Sequence, residues 1–174
     1  MRAAAALALG LAVLAAAGCG GGGRACLQGA TTSASGAERD VTGTTYLTAV
    51  DVSTPDCADR VEFRFEHTVP AWRAEYRPAA KAQTEDASGR HVAVAGPGYL
   101  VIRLSPAATA RSDGSTLTRT YSGPRRIPAA GARHVHEVVK TGDFEAVVTW
   151  VIGLDGKRPY TASVDGSSLV VRIG

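Results

Sequence analysis

The sequence predicts an all-β fold, a small β-sandwich of eight to ten short strands, and three observations predict it. Short apolar runs of period two begin at Thr44, Gly, Pro, Asp and Ser separate them, and no segment carries a long amphipathic helical repeat. A partly open barrel satisfies the same pattern. At 174 residues the chain has room for one domain with a tail. The predicted division is a signal peptide at 1–18, a Gly/Ser/Thr-rich tether at 19–43 and the β domain at 44–174.

The clearest strand is Arg60-Val61-Glu62-Phe63-Arg64-Phe65-Glu66, which alternates charged and apolar residues without a fault and so has one buried face. Trp72-Arg73-Ala74-Glu75-Tyr76 repeats the alternation. Residues 92–95, 99–104, 117–121 and 135–139 are further strands. Residues 144–154 are more continuously apolar and rich in β-branched side chains, the pattern of a central strand buried on both faces, although periodicity alone fits a helix too. Residues 160–164 and 169–173 complete a meander. Asp155-Gly156 and Asp165-Gly166 carry hairpin signals, because tight primed turns need positive φ. Ser105-Pro106 predicts the start of one short helical turn over 107–110, and 79–90 reads as a polar connector.

The N-terminus has the layout of an export signal. Arg2 precedes a fifteen-residue apolar run, 3–17, too short for a bilayer span and ending in small residues. Ala16-Ala17-Gly18-Cys19 resembles the lipobox of bacterial lipoproteins, with Ala16 where Leu is usual and Leu14 two positions back. Cys19 is then the predicted lipidation site, carrying a diacylglycerol and an acyl chain and holding the protein to the outer face of a membrane. The alternative is an ordinary signal cut near Ala17. The polyglycine run 20–23 suits the leash of an anchored domain.

Three cysteines then divide into an anchor and a pair. Cys26 and Cys57 are 31 residues apart and are predicted to form a disulfide in an oxidising compartment, against the alternative of two thiols. The bridge would leave a leash of at most about 25 Å.

Charge and motifs exclude several functions. Sixteen Arg and three Lys against nine Asp and seven Glu give +3, and removal of Arg2 leaves +2, too near balance for a nucleic-acid binder. There is no Gly-x-Ser-x-Gly elbow and no phosphate loop. Glu62 and Glu66 lie about 13 Å apart on a strand, beyond glycosidase separations, and read as a solvated face. His134 and His136 share a strand face but lack supporting ligands, so no metal site is predicted. No cofactor and no catalytic residue are predicted.

Two surfaces remain as ligand-binding candidates. The most basic stretch holds Arg119, Arg125, Arg126, Arg133 and Lys140, suited to anionic wall polymer or lipid headgroups, or to plain solvation. Trp72 and Tyr76 share a strand face, where they either stack on sugar rings or fill the core.

Several segments resemble the AMIN-like domain of lipoproteins from high-GC Gram-positive bacteria. They are Asp59-Arg60-Val61-Glu62-Phe63-Arg64-Phe65, Pro70-Ala71-Trp72-Arg73-Ala74-Glu75-Tyr76, Thr120-Tyr121-Ser122-Gly123-Pro124 and, most specifically, residues 137–155; the close at 169–173 matches loosely. The family's usual Gly, Tyr and Val are replaced by Ala71, Trp72 and Ala74, and Arg172 stands where an acidic residue is common. The resemblance implies a small β-sandwich with no catalytic residues. The parent AMIN domain is associated with localising envelope proteins by binding cell-wall glycan. The resulting expectation is a non-enzymatic, lipid-anchored extracytoplasmic protein that binds cell-wall polymer or an envelope protein. The alternative is an assembly lipoprotein that binds a protein partner through an exposed sheet edge. Nothing in the sequence specifies an oligomeric state.

Overall fold

The computed structural model describes residues 27–55 and 57–174, which fold as two β-sheets packed face to face. Cys19 and Cys26, and with them the predicted signal, lipobox and bridge, lie outside the described residues.

Alternation of side chains builds the first sheet. Strands β2 (Thr45–Ser53) and β3 (Asp59–Phe65) pair antiparallel, and β3 buries Val61, Phe63 and Phe65 while Arg60, Glu62 and Arg64 face outward. Glu62 is ion-paired with Arg60 and Arg64, the predicted solvated face. Strand β12 (Tyr160–Asp165) turns tightly into β13 (Ser168–Ile173), which lies against β3. The sheet order is β12-β13-β3-β2-β6, where β6 (Ala107–Ala108) is a two-residue parallel edge. The residues predicted as a helical turn therefore join a sheet, following a cis Ser105–Pro106 bond.

The second sheet runs β1-β4-β5-β11-β10-β9, with β1 at Ser35–Ala37, β4 at Ala71–Tyr76, β5 at Gly98–Ser105, β9 at Arg126–Pro128, β10 at Val135–Phe144 and β11 at Val147–Leu154. The inner faces meet in one core, in which Trp150 contacts Phe63 edge-on at 6.0 Å and Tyr121 at 5.6 Å. The expected double burial of the 144–154 segment holds for β11. Val148, Trp150, Ile152 and Leu154 face the sandwich core, while Val151 packs outward with Val101, Val139, Val94 and Ala82.

That outer cover comes from the connector between β4 and β5. It opens with α1 (Ala79–Ala82) and lies across the sheet. Residues 92–95 are no strand. The Val92 amide donates to the Gln83 carbonyl at 2.8 Å, and three further backbone groups bond to side chains: Glu137 accepts from the Ala95 amide at 2.7 Å, while Arg126 and Gln83 donate to the Ala93 and Val94 carbonyls.

Three further expectations are corrected. Phe144 ends β10 rather than starting β11, because Glu145 and Ala146, both at positive φ, turn a hairpin between them. Asp155-Gly156 opens a crossover to the other sheet rather than a hairpin. Asp155 is held there by the Nε and Nη2 of Arg158, which donate at 2.9 and 2.7 Å, and the following strand pairs with β13. Part of the segment read as tether is folded: Thr31 bridges Tyr160 in one sheet and β1 pairs with β4 in the other. Gly36 permits that pairing, since a Cβ there would meet the Trp72 carbonyl oxygen at 2.7 Å. The Tyr160 hydroxyl locks it, donating toward the Ser33 and Ala74 carbonyls at 2.8 Å and accepting from the Ser35 hydroxyl at 3.0 Å. The strap thus closes one side of the sandwich by joining both sheets.

Candidate functional site

The cores and the strap use up most large apolar side chains. Two stay exposed among the described residues, Leu117 at 70% and Phe144 at 53%. Both line the same cleft, of about 580 Å³, within the usual range of small-molecule pockets.

Three elements form the cleft. A separate two-stranded hairpin of β7 (Ala110–Asp113) and β8 (Thr116–Arg119), tied to the sandwich by Arg111 through Glu66 and the Tyr46 ring, carries Leu117 and Arg119. The last turns of β10 supply Lys140, Asp143 and Phe144, and the connector supplies Glu85 and Asp86. The approach of the connector requires a glycine, because a Cβ on Gly142 would meet Asp86 Oδ2 at 2.0 Å. Asp86 is fixed there by the Thr149 hydroxyl, which donates to it at 2.6 Å, and by its own amide, which donates to the Thr141 carbonyl at 3.0 Å.

The floor is a set of satisfied polar groups. Lys140 Nζ donates to Asp143 Oδ2 and to Thr109 Oγ1, both at 3.1 Å, and lies 5.9 Å from the centre of the Tyr121 ring. Thr109 also donates to Asp143. The Tyr121 hydroxyl donates to the Pro124 carbonyl at 2.8 Å; burial pushes its pKa up, so it stays a neutral donor. Arg125 donates to Glu85 at 2.7 Å and to the Lys140 carbonyl at 2.9 Å. Among the described residues no carboxylate pairs with Arg119. The arrangement offers two apolar lips over a polar floor, with hydroxyl, carboxylate and cationic groups within reach of one ligand.

Other predicted residues fall elsewhere. Trp72 is buried in the sandwich core. Tyr76 is half-buried, its hydroxyl donating to the Arg158 carbonyl at 2.7 Å and its ring set between Tyr160 and Lys157. The pair fills space inside the fold, so the stacking role is set aside. Of the basic stretch, the structure brings Arg119, Arg125 and Lys140 to the cleft, and Arg126 to a hollow beside it. Arg133 lies at the opposite end of the sandwich, where its amide donates to Asp59 at 3.0 Å. A bulge between Val135 and Glu137 breaks the alternation that would have paired His134 with His136, and His134 Nδ1 lies 3.1 Å from Asp155. No cluster of three metal-ligating side chains occurs among the described residues.

Leu117 and Phe144 were missed from sequence. Leu117 opens an alternating run and Phe144 an apolar one, both of which read as strand, and the available signal was their place at the ends of those runs.

The family model for the AMIN-like domain matches residues 45–173, nearly the whole of both sheets. The chain belongs to the AMIN-like domain family. The AMIN-like fold accounts for the two sheets from β2 to β13, whereas β1 and the Thr31 bridge precede the matched span. The family is associated with binding in the cell envelope, a binding-type rather than catalytic domain. No curated protein and no solved structure matches the chain.

Proposed function

We propose that this AMIN-like domain is the binding module of a lipid-anchored, extracytoplasmic envelope protein, and that it holds cell-wall polymer in the cleft between Leu117 and Phe144. The observation that carries the reading is the convergence of those two exposed apolar side chains on a floor of satisfied polar groups. A sugar ring has the complementary surface, an apolar C–H face with hydroxyls around its rim. Display is the mechanism: the anchor holds the domain at the membrane and the cleft makes the contacts.

The entry point of the chain supports this geometry. Leu27 packs beside Gly174 and near the Cys57 carbonyl, at the end of the sandwich where β3 begins. The cleft lies toward the far end of β10, about 25 Å away at the rise of a strand. An anchor at Cys19 would therefore join the domain at the end opposite the cleft. We propose also that Cys26 is bridged to Cys57. Leu27, its neighbour in sequence, and Cys57 both lie beside Gly174, at one end of the sandwich.

Sedimentation with purified wall material tests the binding reading. The full mature protein is expected to be retained at low salt, and a Leu117→Ala/Phe144→Ala double variant to remain in the supernatant. Absence of retention of the parent protein would overturn the reading. Mass spectrometry of the protein from native membranes tests the anchor, which an unmodified Cys19 would overturn.

A protein partner at a sheet edge is the second reading, favoured by β12. Both backbone groups of Tyr160 are taken by Thr31, at 2.9 Å each. The groups of Ala162 and Val164 point the same way by alternation, and among the described residues no strand covers them. A partner strand there would leave wall sedimentation unaffected by the double variant.

A further inference from the structure

Glu85 is held between two guanidiniums. Arg90 donates to Oε2 through Nη2 at 2.7 Å and through Nε at 2.9 Å, and Arg125 donates to Oε1 at 2.7 Å. The Ser88 hydroxyl donates at 2.5 Å. The hydroxyl and the two guanidiniums together hold the Glu85 carboxyl down at about 2. Glu85 and Arg125 line the Leu117–Phe144 cleft and also a second hollow of about 400 Å³, which Arg90 and Arg126 share. The two hollows are thus one groove, divided by this ion pair.

We propose that the groove binds a glycan bearing carboxylate groups, and that Glu85 occupies the position a ligand carboxylate takes when bound. The proposal rests on the binding-module reading and specifies its ligand. A guanidinium fork recognises any carboxylate in the same planar geometry, so a clamp occupied by Glu85 is already shaped for another. Glu85 sits on the connector, not in a core. Its neighbours Gln83 and Asp86 fasten that connector independently, so Glu85 can swing aside without unfolding it.

Arg119, with no carboxylate partner among the described residues, adds an uncompensated positive charge to the other half of the groove. The apolar lips argue for sugar beside charge. Phe144 is held at the rim by a hairpin whose two turn residues, Glu145 and Ala146, both adopt the left-handed conformation that disfavours non-glycine residues. Strain of this kind persists where the surrounding structure imposes it, commonly at ligand sites. An acidic peptide would satisfy the guanidiniums equally well. It would find little backbone to pair with, because the adjoining sheet edge, β9, is three residues long and ends in Pro128.

The test measures binding of the full mature protein to three soluble probes at fixed low salt: polygalacturonate fragments, dextran and polyglutamate. Binding of polygalacturonate is expected, with none to dextran and weaker binding to polyglutamate. Glu85→Gln is expected to tighten polygalacturonate binding by about threefold, the scale of one partly exposed charge pair. Arg125→Ala and Phe144→Ala are each expected to weaken it by about fivefold or more. Arg172→Ala, which removes one exposed charge from the other sheet, is expected to leave it unchanged.

Circular dichroism and thermal melting confirm that each variant is folded. Equal binding of polyglutamate, no gain in Glu85→Gln, or an equal loss in Arg172→Ala would each overturn the proposal. Retention on wall material without polygalacturonate binding would sink the ligand assignment and leave the binding module standing. The reverse result would sink the wall reading and leave the groove.

Discussion

The amide of His134 donates a 2.7 Å hydrogen bond to the carboxylate of Asp59, joining residues 75 positions apart. The Val135 amide donates to the same oxygen at 2.9 Å, and Arg133 and Thr54 donate to the other at 3.0 Å. Asp59 is fully buried, so these bonds tie the start of β3 in one sheet to the start of β10 in the other. Burial alone would favour its protonated form; the three amides and the Thr54 hydroxyl outweigh that and hold its pKa below the usual value.

Asp59→Ala leaves three amides without their acceptor and is expected to cost about 3 kcal/mol or more. The pH dependence follows from the depressed pKa. The stabilisation is present in full above the ordinary carboxylate pKa and is lost as pH falls through the folded value. Urea unfolding at pH 7 and pH 3 checks both points. An Asp59→Ala variant that loses as much stability on acidification as the parent protein would contradict the assignment.

Gly142→Ala places a Cβ where the Asp86 carboxylate lies. The expected outcome is a cost of about 1–3 kcal/mol, the scale of overpacking, with faster amide exchange across residues 84–95. Unchanged exchange there would mean that the connector does not depend on this approach.

Tyr160→Phe removes a hydroxyl that bonds to Ser33, Ser35 and Ala74. Its loss is expected to cost about 1–2 kcal/mol. Proteolysis should rise first in the strap around β1, with the sheets left intact. Cleavage spread evenly over the domain would show that the strap is not a separate unit.

Phe144→Ala and Leu117→Ala change exposed side chains, so each is expected to stay within about 0.5 kcal/mol of the parent stability while reducing retention on wall material. Thermal melting alongside sedimentation separates the two effects. A large loss of stability would make these residues packing groups instead.

Reduction of the proposed Cys26–Cys57 bridge is expected to lower stability by about 3–4 kcal/mol, the chain-entropy value for a loop of this size. Urea unfolding with and without reductant measures it. Equal midpoints would sink the bridge.

The strand pattern was legible because alternation is a local property. The DRVEF run had one buried face whatever its neighbours were, and the apolar run after Glu145 had two. The hairpin at Glu145 and Ala146 was not legible, since neither residue type signals positive φ and the β10–β11 pairing imposes it. Of the five basic residues, Arg119, Arg125 and Lys140 line one cleft because β8, the start of β9 and β10 bring them together, while Arg133 lies before β10 and is carried to the other end. Trp72 and Tyr76 were ambiguous on the strand, as an aromatic on an alternating face reads identically whether that face meets solvent or a second sheet.

Periodicity and turn residues thus determined an all-β domain of short strands, because each depends on neighbours a few residues away. The count of eight to ten fell short of the thirteen observed among the described residues, since two- to four-residue pairings such as β6 and β9 are made by distant partners. Family membership was legible for the same reason, through short runs of residues in order. Which strands share a sheet, that the pre-domain segment straps both sheets, and that Leu117 and Phe144 meet over Lys140 were decided only by the tertiary structure. Those relations join residues tens of positions apart, and nothing in their local sequence distinguishes a strand end facing a cleft from one facing a core.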